Sequence, residues 1–238
     1  MQSKQRVQAA FAFEQPDATP CDYYATPEIH GALLKHFKVR DDNELRNCLG
    51  TDIRFVNPPY VGPALPVYED GSFMNIWGIR RKPTANEYGD YSEAVNAPYA
   101  EWKTVEEAEN FDWPSPEWYD YSAVPAICDR YPGKALLTGA FAVQDFINGA
   151  AFGRGVEQTL VDIALEDPVF VFITEKRHRF YMELIERTLQ AARGKLDLVL
   201  CGDDFGTQRG LMISPAAFDR LFADKKKEFF DMVHSYGA

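Results

Sequence analysis

Two adjacent carboxylates, Asp203 and Asp204, follow an apolar run at residues 196–201 in the segment LDLVLCGDDFGTQRG. An apolar strand with functional groups at its carboxyl end is typical of a βα unit in a parallel sheet or barrel, where active sites lie at the strands' carboxyl ends. Neighbouring strand side chains point to opposite faces, so these two cannot both face one interior. If they are buried near one another, one pKa should rise, which suits acid–base chemistry. The alternative is that both stabilise a turn.

Four other side chains could contact a substrate, and each also has a structural interpretation. Gln208 could offer its amide to a polar substrate group, or bond the local backbone. The aromatic residues could wall a pocket or belong to the core. They are Phe141, at the end of a predicted strand, Tyr60, after an Asn-Pro-Pro turn, and Tyr24, at the end of another predicted strand.

Two basic residues are better explained as surface residues than as parts of a functional site. Arg154, between two glycines, could bind an anion, but a lone arginine in that setting is more often a surface residue. His178 lies among lysine and arginine residues in a predicted helix, which favours a solvated face.

Helix punctuation and apolar periodicity predict the elements that position these residues. A polar residue followed by proline marks helix starts at residues 26–27, 167–168 and 214–215. Asp41 with Glu44 fits a capping box. Strands are predicted at residues 21–24, 53–56, 135–137 and 196–201. The alternation of strands and helices predicts an α/β fold with parallel strands.

Residues 57–101 interrupt this alternation. They are rich in proline, glycine and aromatic residues, and Asp70-Gly71 is a hairpin signal, so we expect a β-hairpin insertion over the end of the sheet. About four strand–helix units are visible, whereas a closed (β/α)8 TIM barrel needs eight. Residues 1–238 are therefore expected to form a single domain, either a small open sheet or about half of a barrel.

Composition excludes several classes of function. The chain has 238 residues, 46% of them hydrophobic, and a net charge of −11, which disfavours nucleic acids and anionic membranes. No apolar run is long enough to span a membrane, and no secretory signal is recognisable. The cysteines show neither zinc-site spacing nor a disulfide framework, which favours a reducing, cytoplasmic location. They are Cys21, Cys48, Cys128 and Cys201.

Several segments resemble the uroporphyrinogen decarboxylase superfamily, most closely its branch of cobalamin-dependent methyltransferases and O-demethylases. They are RVQAAFAFEQPDATPCDY, LGTDIRFVNPPYVGP, DGSFMNIWGIRRKP, KALLTGAFAV and GKLDLVLCGDDFGTQRGLMISPAAFDRLF. The resemblance spans residues 6–238. It implies the (β/α)8 barrel fold, with this chain as its N-terminal, C-terminally truncated part. It also implies that Asp204 faces the substrate as hydrogen-bond acceptor or general base. Asp203 then has an orienting role or stabilises the loop.

The resemblance implies corrinoid-dependent methyl transfer or O-demethylation of a small methylated substrate in the intact protein. A corrinoid protein is then a candidate partner. Zinc is implied for the complete family fold, on a His-x-Cys motif beyond this chain's last helix, so we expect no metal or cofactor within this chain.

Two alternative functions remain. Uroporphyrinogen decarboxylation is disfavoured because YYATPEIHGAL lacks the arginines that clamp substrate carboxylates in true decarboxylases. The other alternative is a catalytically silent half-barrel that acts by pairing, as a homo-oligomer or with a complementary half-barrel, because an open parallel sheet leaves bare edges.

Overall fold

A computed structural model describes residues 1–86 and 89–238 of the chain. Its strands, numbered in chain order, are β1 (Ile53–Phe55), β2 (Phe73–Met74), β3 (Arg80–Asn86), β4 (Gly89–Ala94), β5 (Ala135–Gly139), β6 (Leu198–Leu200), β7 (Gly206–Thr207) and β8 (Gly210–Leu211).

The described residues also form a series of α-helices. Short 3-10 turns at Pro116–Trp118 and Tyr121–Ala123 precede the helix that begins at Val124. The helices are α1 (Ser3–Phe11), α2 (Pro27–Phe37), α3 (Asp42–Cys48), α4 (Val105–Glu109), α5 (Val124–Cys128), α6 (Ile147–Arg154), α7 (Val156–Leu165), α8 (Pro168–Ala192), α9 (Pro215–Phe218) and α10 (Asp224–Ser235). A π-helical turn, Asp219–Ala223, joins α9 to α10.

The predicted parallel sheet is present, with strand order β1-β5-β6. One face packs on α5, α8 and α10 through Leu136 and its neighbours in the main core. On the opposite face, Phe55, Leu137 and Leu198 lie in register, and Phe55 and Leu198 are only partly buried. The chain is thus a mixed α/β protein, but a TIM barrel is not shown, because the parallel sheet has three strands in the described part of the chain.

Helix α8 shows how local signals produce the core. Asp167 caps it by accepting hydrogen bonds from two amides of the first turn, and Pro168 occupies the first helical position. Apolar residues at three- and four-residue spacing, such as Leu184 and Ile185 after Tyr181, bury one side against the sheet. Arg193 ends the helix in the left-handed region, and Gly194 follows it with φ +75°.

The region of residues 57–101 contains a separate antiparallel sheet, in the order β2-β3-β4. Asp70-Gly71 forms the tight turn before β2, where Asp70 accepts hydrogen bonds from the backbone and hydroxyl of Ser72. The longer β3–β4 hairpin pairs Arg81 with Ala94, and residues 87 and 88 at its turn lie outside the described residues.

Three expectations are corrected. Residues 21–24 form no strand in the described chain, although the backbone N–H of Cys21 does reach Asp52. Arg154 is 5% exposed, not a surface residue, because it is ion-paired with Asp162 and donates to two backbone carbonyls. His178 is fully buried rather than solvated.

Over residues 1–86 and 89–238, no helix is both long and apolar enough to cross a membrane.

Candidate functional site

A pocket of about 300 Å³ opens at the carboxyl ends of β1, β5 and β6, and we call it the mouth pocket. Chemistry in parallel α/β folds is concentrated at this end of the strands. The side chains and backbone segments that form it include Tyr24, Arg46, Phe55, Asn57, Gly139 and Leu200.

Asn57 and Gly139 set the shape of this pocket. The Asn57 carboxamide oxygen accepts hydrogen bonds from the Thr138 hydroxyl (3.0 Å) and the Gly139 amide (2.9 Å), which joins the ends of β1 and β5. Gly139 has φ +95°, and a Cβ there would lie 2.3 Å from the carbonyl oxygen of Leu200. Only glycine allows β5 and β6 to approach so closely at this point.

Two of the predicted aromatic residues meet at the mouth. The rings of Tyr24 and Phe141 pack edge to face with centroids 5.2 Å apart, and both side chains are more than half exposed. Tyr60 lies elsewhere, with its hydroxyl bonded to the carbonyl of Pro63 and its ring against Trp118. Tyr24 lines the mouth pocket and Phe141 packs against Tyr24, whereas Tyr60 belongs to the packing of the insertion.

Asp203 holds the start of α6. Its carboxylate is 2% exposed and accepts hydrogen bonds from the amides of Phe146 (3.1 Å) and Ile147 (3.3 Å). The next amide, of Asn148, donates to Asp145 at 3.1 Å. The initial amides of a helix have no intrahelical partner, so these two carboxylates satisfy groups that would otherwise be unpaired.

Asp145 is the titratable group most perturbed by this arrangement. Burial, followed by the negative charge of Asp203 and a hydrogen bond to it, raises the pKa of Asp145 to about 7, although Arg177 opposes the rise. A carboxyl group in this state can hold or release a proton near neutral pH. The sequence predicts such a raised pKa for one of Asp203 and Asp204 only if both are buried near one another; Asp204 is exposed, and the raised pKa belongs to Asp145 beside Asp203.

Buried basic groups complete the surroundings. Lys226 lies 3.5 Å from the Asp203 carboxylate and donates to the carbonyl of Gln144 at 2.7 Å. His178 bonds Gln144 through one ring nitrogen and Glu228 through the other, both at 2.9 Å. Burial lowers the pKa of His178. The polar cluster therefore connects the carboxyl ends of the strands to α8 and α10.

The remaining predicted residues are more exposed. Asp204 accepts a hydrogen bond from the Asn148 side chain at 2.7 Å, and Gln208 lies at the exposed turn between β7 and β8. In the structure, the Asp203 carboxylate is therefore buried, whereas Asp204 is exposed to solvent. Their roles in a reaction stay predictions.

Sequence reasoning missed Asp145, Lys226 and Arg46. Asp145 precedes Asn148 by three residues, which is the spacing of a helix-capping carboxylate. Lys226 appears within a lysine run, but its spacing of four from Phe222 places it on the buried side of the helix. Arg46 gave no local signal, because its place in the mouth pocket depends on how α3 packs beside β1.

The resemblance places its zinc ligands beyond this chain's last helix, and that prediction is not tested by the described residues. Over residues 1–86 and 89–238 there is no group of three or more histidine, cysteine, aspartate or glutamate side chains that could hold a metal ion. No reaction step is therefore assigned to a metal held by this part of the chain.

Comparison with known proteins gives a fold but no family. Neither family models nor curated proteins match the sequence. A solved structure of a methyltransferase from Methanosarcina mazei is similar with a TM-score of 0.54 and 14% sequence identity, over 98% of this chain and 67% of that one. At this identity the likeness shows the α/β fold alone.

Proposed function

We propose that this chain binds a small methylated substrate in the mouth pocket and takes part in transferring its methyl group. The observation that carries the proposal is the position of the mouth pocket, at the carboxyl ends of parallel strands in a fold similar to that of a methyltransferase. The residue patterns that resemble cobalamin-dependent methyltransferases support the same reaction class.

The pocket offers an apolar wall and fixed polar groups. Tyr24 lines the pocket and presents aromatic surface to a ligand, with the ring of Phe141 packed edge to face against it, and Asn57 is fixed by its bonds to Thr138 and Gly139. A side chain that is already fixed, as Asn57 is, orients a substrate without further loss of its own side-chain entropy. These residues would position the methyl-bearing group.

Asp204 would act as the base or hydrogen-bond acceptor. Its carboxylate is exposed at the strand end and is oriented by the Asn148 amide. It could take the proton of an acceptor thiol as the methyl group is transferred. A corrinoid on a partner protein would supply the cobalt chemistry of methyl transfer.

Decarboxylation of a tetrapyrrole is less well supported by this pocket. Arg46 is already ion-paired with Asp22 (3.0 Å) and Asp42 (2.7 Å). Arg54, which also lines the pocket, donates to side chains of α3 and to Thr51. A polyanionic substrate needs free fork-like donors, and these guanidinium groups already have partners.

The first experiment measures methyl transfer. The chain is incubated with methylcobalamin and a panel of small thiols, and separately with reduced cobalamin and methoxylated or methylated compounds, and methylated products are measured by mass spectrometry. We expect product above the protein-free rate, reduced about 100-fold by Asp204→Asn if the carboxylate is the base. Asp231→Asn, at an exposed ion pair on α10, is the matched control. Unchanged turnover in Asp204→Asn would make that carboxylate structural, and absence of any methylated product would refute the proposal.

Pairing with another half-barrel is a second candidate function, favoured by the edge of β6. A groove of about 450 Å³ lies along this edge, between α1 and α10, and includes Val199, Val233 and the exposed rings of Phe11 and Phe230. An uncovered strand edge beside apolar surface is a site of association. Size-exclusion chromatography tests this, because a stable monomer at all concentrations would contradict obligate pairing.

A further inference from the structure

A second cavity, of about 230 Å³, lies on the helix side of β5, and we call it the helix-side cavity. Asn57 and Gly139 line both it and the mouth pocket, so the two spaces adjoin at the strand ends. Its other walls come from α8, from the loop after β5 and from the aromatic segment before α5. They include Tyr119, Val143, Phe180, Tyr181 and Leu184.

The lining of the helix-side cavity carries no aspartate, glutamate, lysine, arginine or histidine among the described residues. Burial raises the pKa of Tyr119 to about 12, so its phenol is neutral at physiological pH. A charged ligand would lose its hydration there and gain no counter-charge. The cavity therefore selects against ions.

Most of the polar side chains in this wall already have partners. Thr138 donates to Asn57 at 3.0 Å, and Thr188 donates to the carbonyl of Leu184 at 2.7 Å. Water needs two to four polar partners to be held in a cavity. With these hydroxyls already bonded, the space favours apolar atoms over ordered water.

The volume limits the size of the occupant. The helix-side cavity opens to solvent beside Ala142, and the comparison that applies to it is one of size alone: an apolar cavity of about 150 Å³ binds benzene, so one of this larger volume has room for one substituted ring. Aromatic walls from Tyr119, Phe180 and Tyr181 offer edge-to-face contacts to such a ring. We infer that the helix-side cavity is a binding site for a small uncharged, largely apolar molecule or substituent, about the size of one substituted aromatic ring.

This site differs from the one proposed for methyl transfer, and its test needs no turnover. Methyl groups of Val143, Leu184 and Ile185 are followed by NMR while the unmodified chain is titrated with toluene or anisole, and with the charged analogues benzoate and benzylammonium. We expect saturable shifts of these methyl signals with the neutral compounds only. Equal responses to the charged analogues, or no response to the neutral ones up to their solubility, would overturn the inference.

A filling variant locates the ligand. Ala142 lines the helix-side cavity from an exposed position, so Ala142→Phe can place a ring in it with little backbone disturbance. We expect affinity for toluene to fall at least about tenfold. Ala216→Phe, at an exposed site on α9 outside the cavity lining, should bind as the wild type does. Equal affinity in both variants would place the ligand elsewhere.

If Ala142→Phe fails to fold, xenon resolves the matter without a variant. Xenon enters dry apolar cavities, so ¹²⁹Xe should shift the same Leu184 and Ile185 methyl signals in the unmodified chain. Absence of that effect would mean the space is filled or hydrated, and the inference would fail.

Discussion

Replacing Asp145 by asparagine should remove a pH dependence of stability that arises from its contact with Asp203. Burial and the Asp203 charge raise the pKa of Asp145 from 3.8 to about 7 in the folded chain. Between these values the folded state holds a proton that the unfolded state releases. The contribution to stability is therefore fully present below about pH 4 and is lost as the pH rises through 7.

The magnitude follows from the two pKa values. At about 1.36 kcal/mol per pH unit, the full contribution is about 4 kcal/mol. Between pH 5.5 and pH 8 the wild type should lose about 2 kcal/mol of it. Asparagine resembles the protonated acid, because its oxygen can still accept from the Asn148 amide and its NH₂ can donate to Asp203. The variant should therefore lack this loss.

Urea unfolding at several pH values measures the difference between the two proteins. Asp203 and Arg177, which act on Asp145, are present in both proteins, and so is Lys226, which lies beside Asp203. His178, whose lowered pKa acts in the opposite direction, is also present in both. Asp129→Asn, at an exposed ion pair, controls for the change in net charge. A wild-type-minus-variant change below about 0.5 kcal/mol over this range would refute the reasoning. So would an NMR titration of the Asp145 carboxyl carbon with a midpoint near 4.

Three further predictions concern stability. Arg154→Ala should lower the unfolding free energy by about 3 kcal/mol or more, because it leaves a buried carboxylate unpaired, whereas Arg220→Ala, in an exposed pair, should cost at most about 1 kcal/mol by urea unfolding. Gly139→Ala should lower the melting temperature far more than Gly194→Ala, since both have positive φ but only the first would place a Cβ against backbone. Burial lowers the pKa of the His178 imidazole, so His178→Gln should weaken the loss of stability that the wild type shows as pH falls below about 6.5. An unfolding free energy that falls equally with pH in both proteins below about pH 6.5 would contradict this.

The elements themselves were predictable where local chemistry decides them. The Asp-Pro start of α8 and the Ser-Pro start of α9 satisfy unpaired amides and preset the backbone, so they read directly from the sequence. The strands β1, β5 and β6 were also predictable from local sequence, because each is a short apolar run. The segment at residues 21–24 was predicted wrongly as a strand, because a strand also needs a neighbouring strand with which to pair, and the local sequence does not specify one.

The candidate site was predictable only in part. Tyr24 and Phe141 were identified from predicted strand ends; the structure brings their rings together, although residues 21–24 form no strand, and their role in binding stays a prediction. Asp145 and Lys226 were not, since their significance depends on the burial and charge that partners distant in sequence provide.

The sequence by itself determined the α/β class, the main helix starts and the location of two carboxylates after an apolar strand, because capping and periodicity act within a few residues. Only the tertiary structure decided that Asp203 is enclosed against α6 while Asp204 is exposed. It also decided that the raised pKa belongs to Asp145. Desolvation and charge–charge interactions depend on which groups approach through space, and no spacing along the chain specifies that.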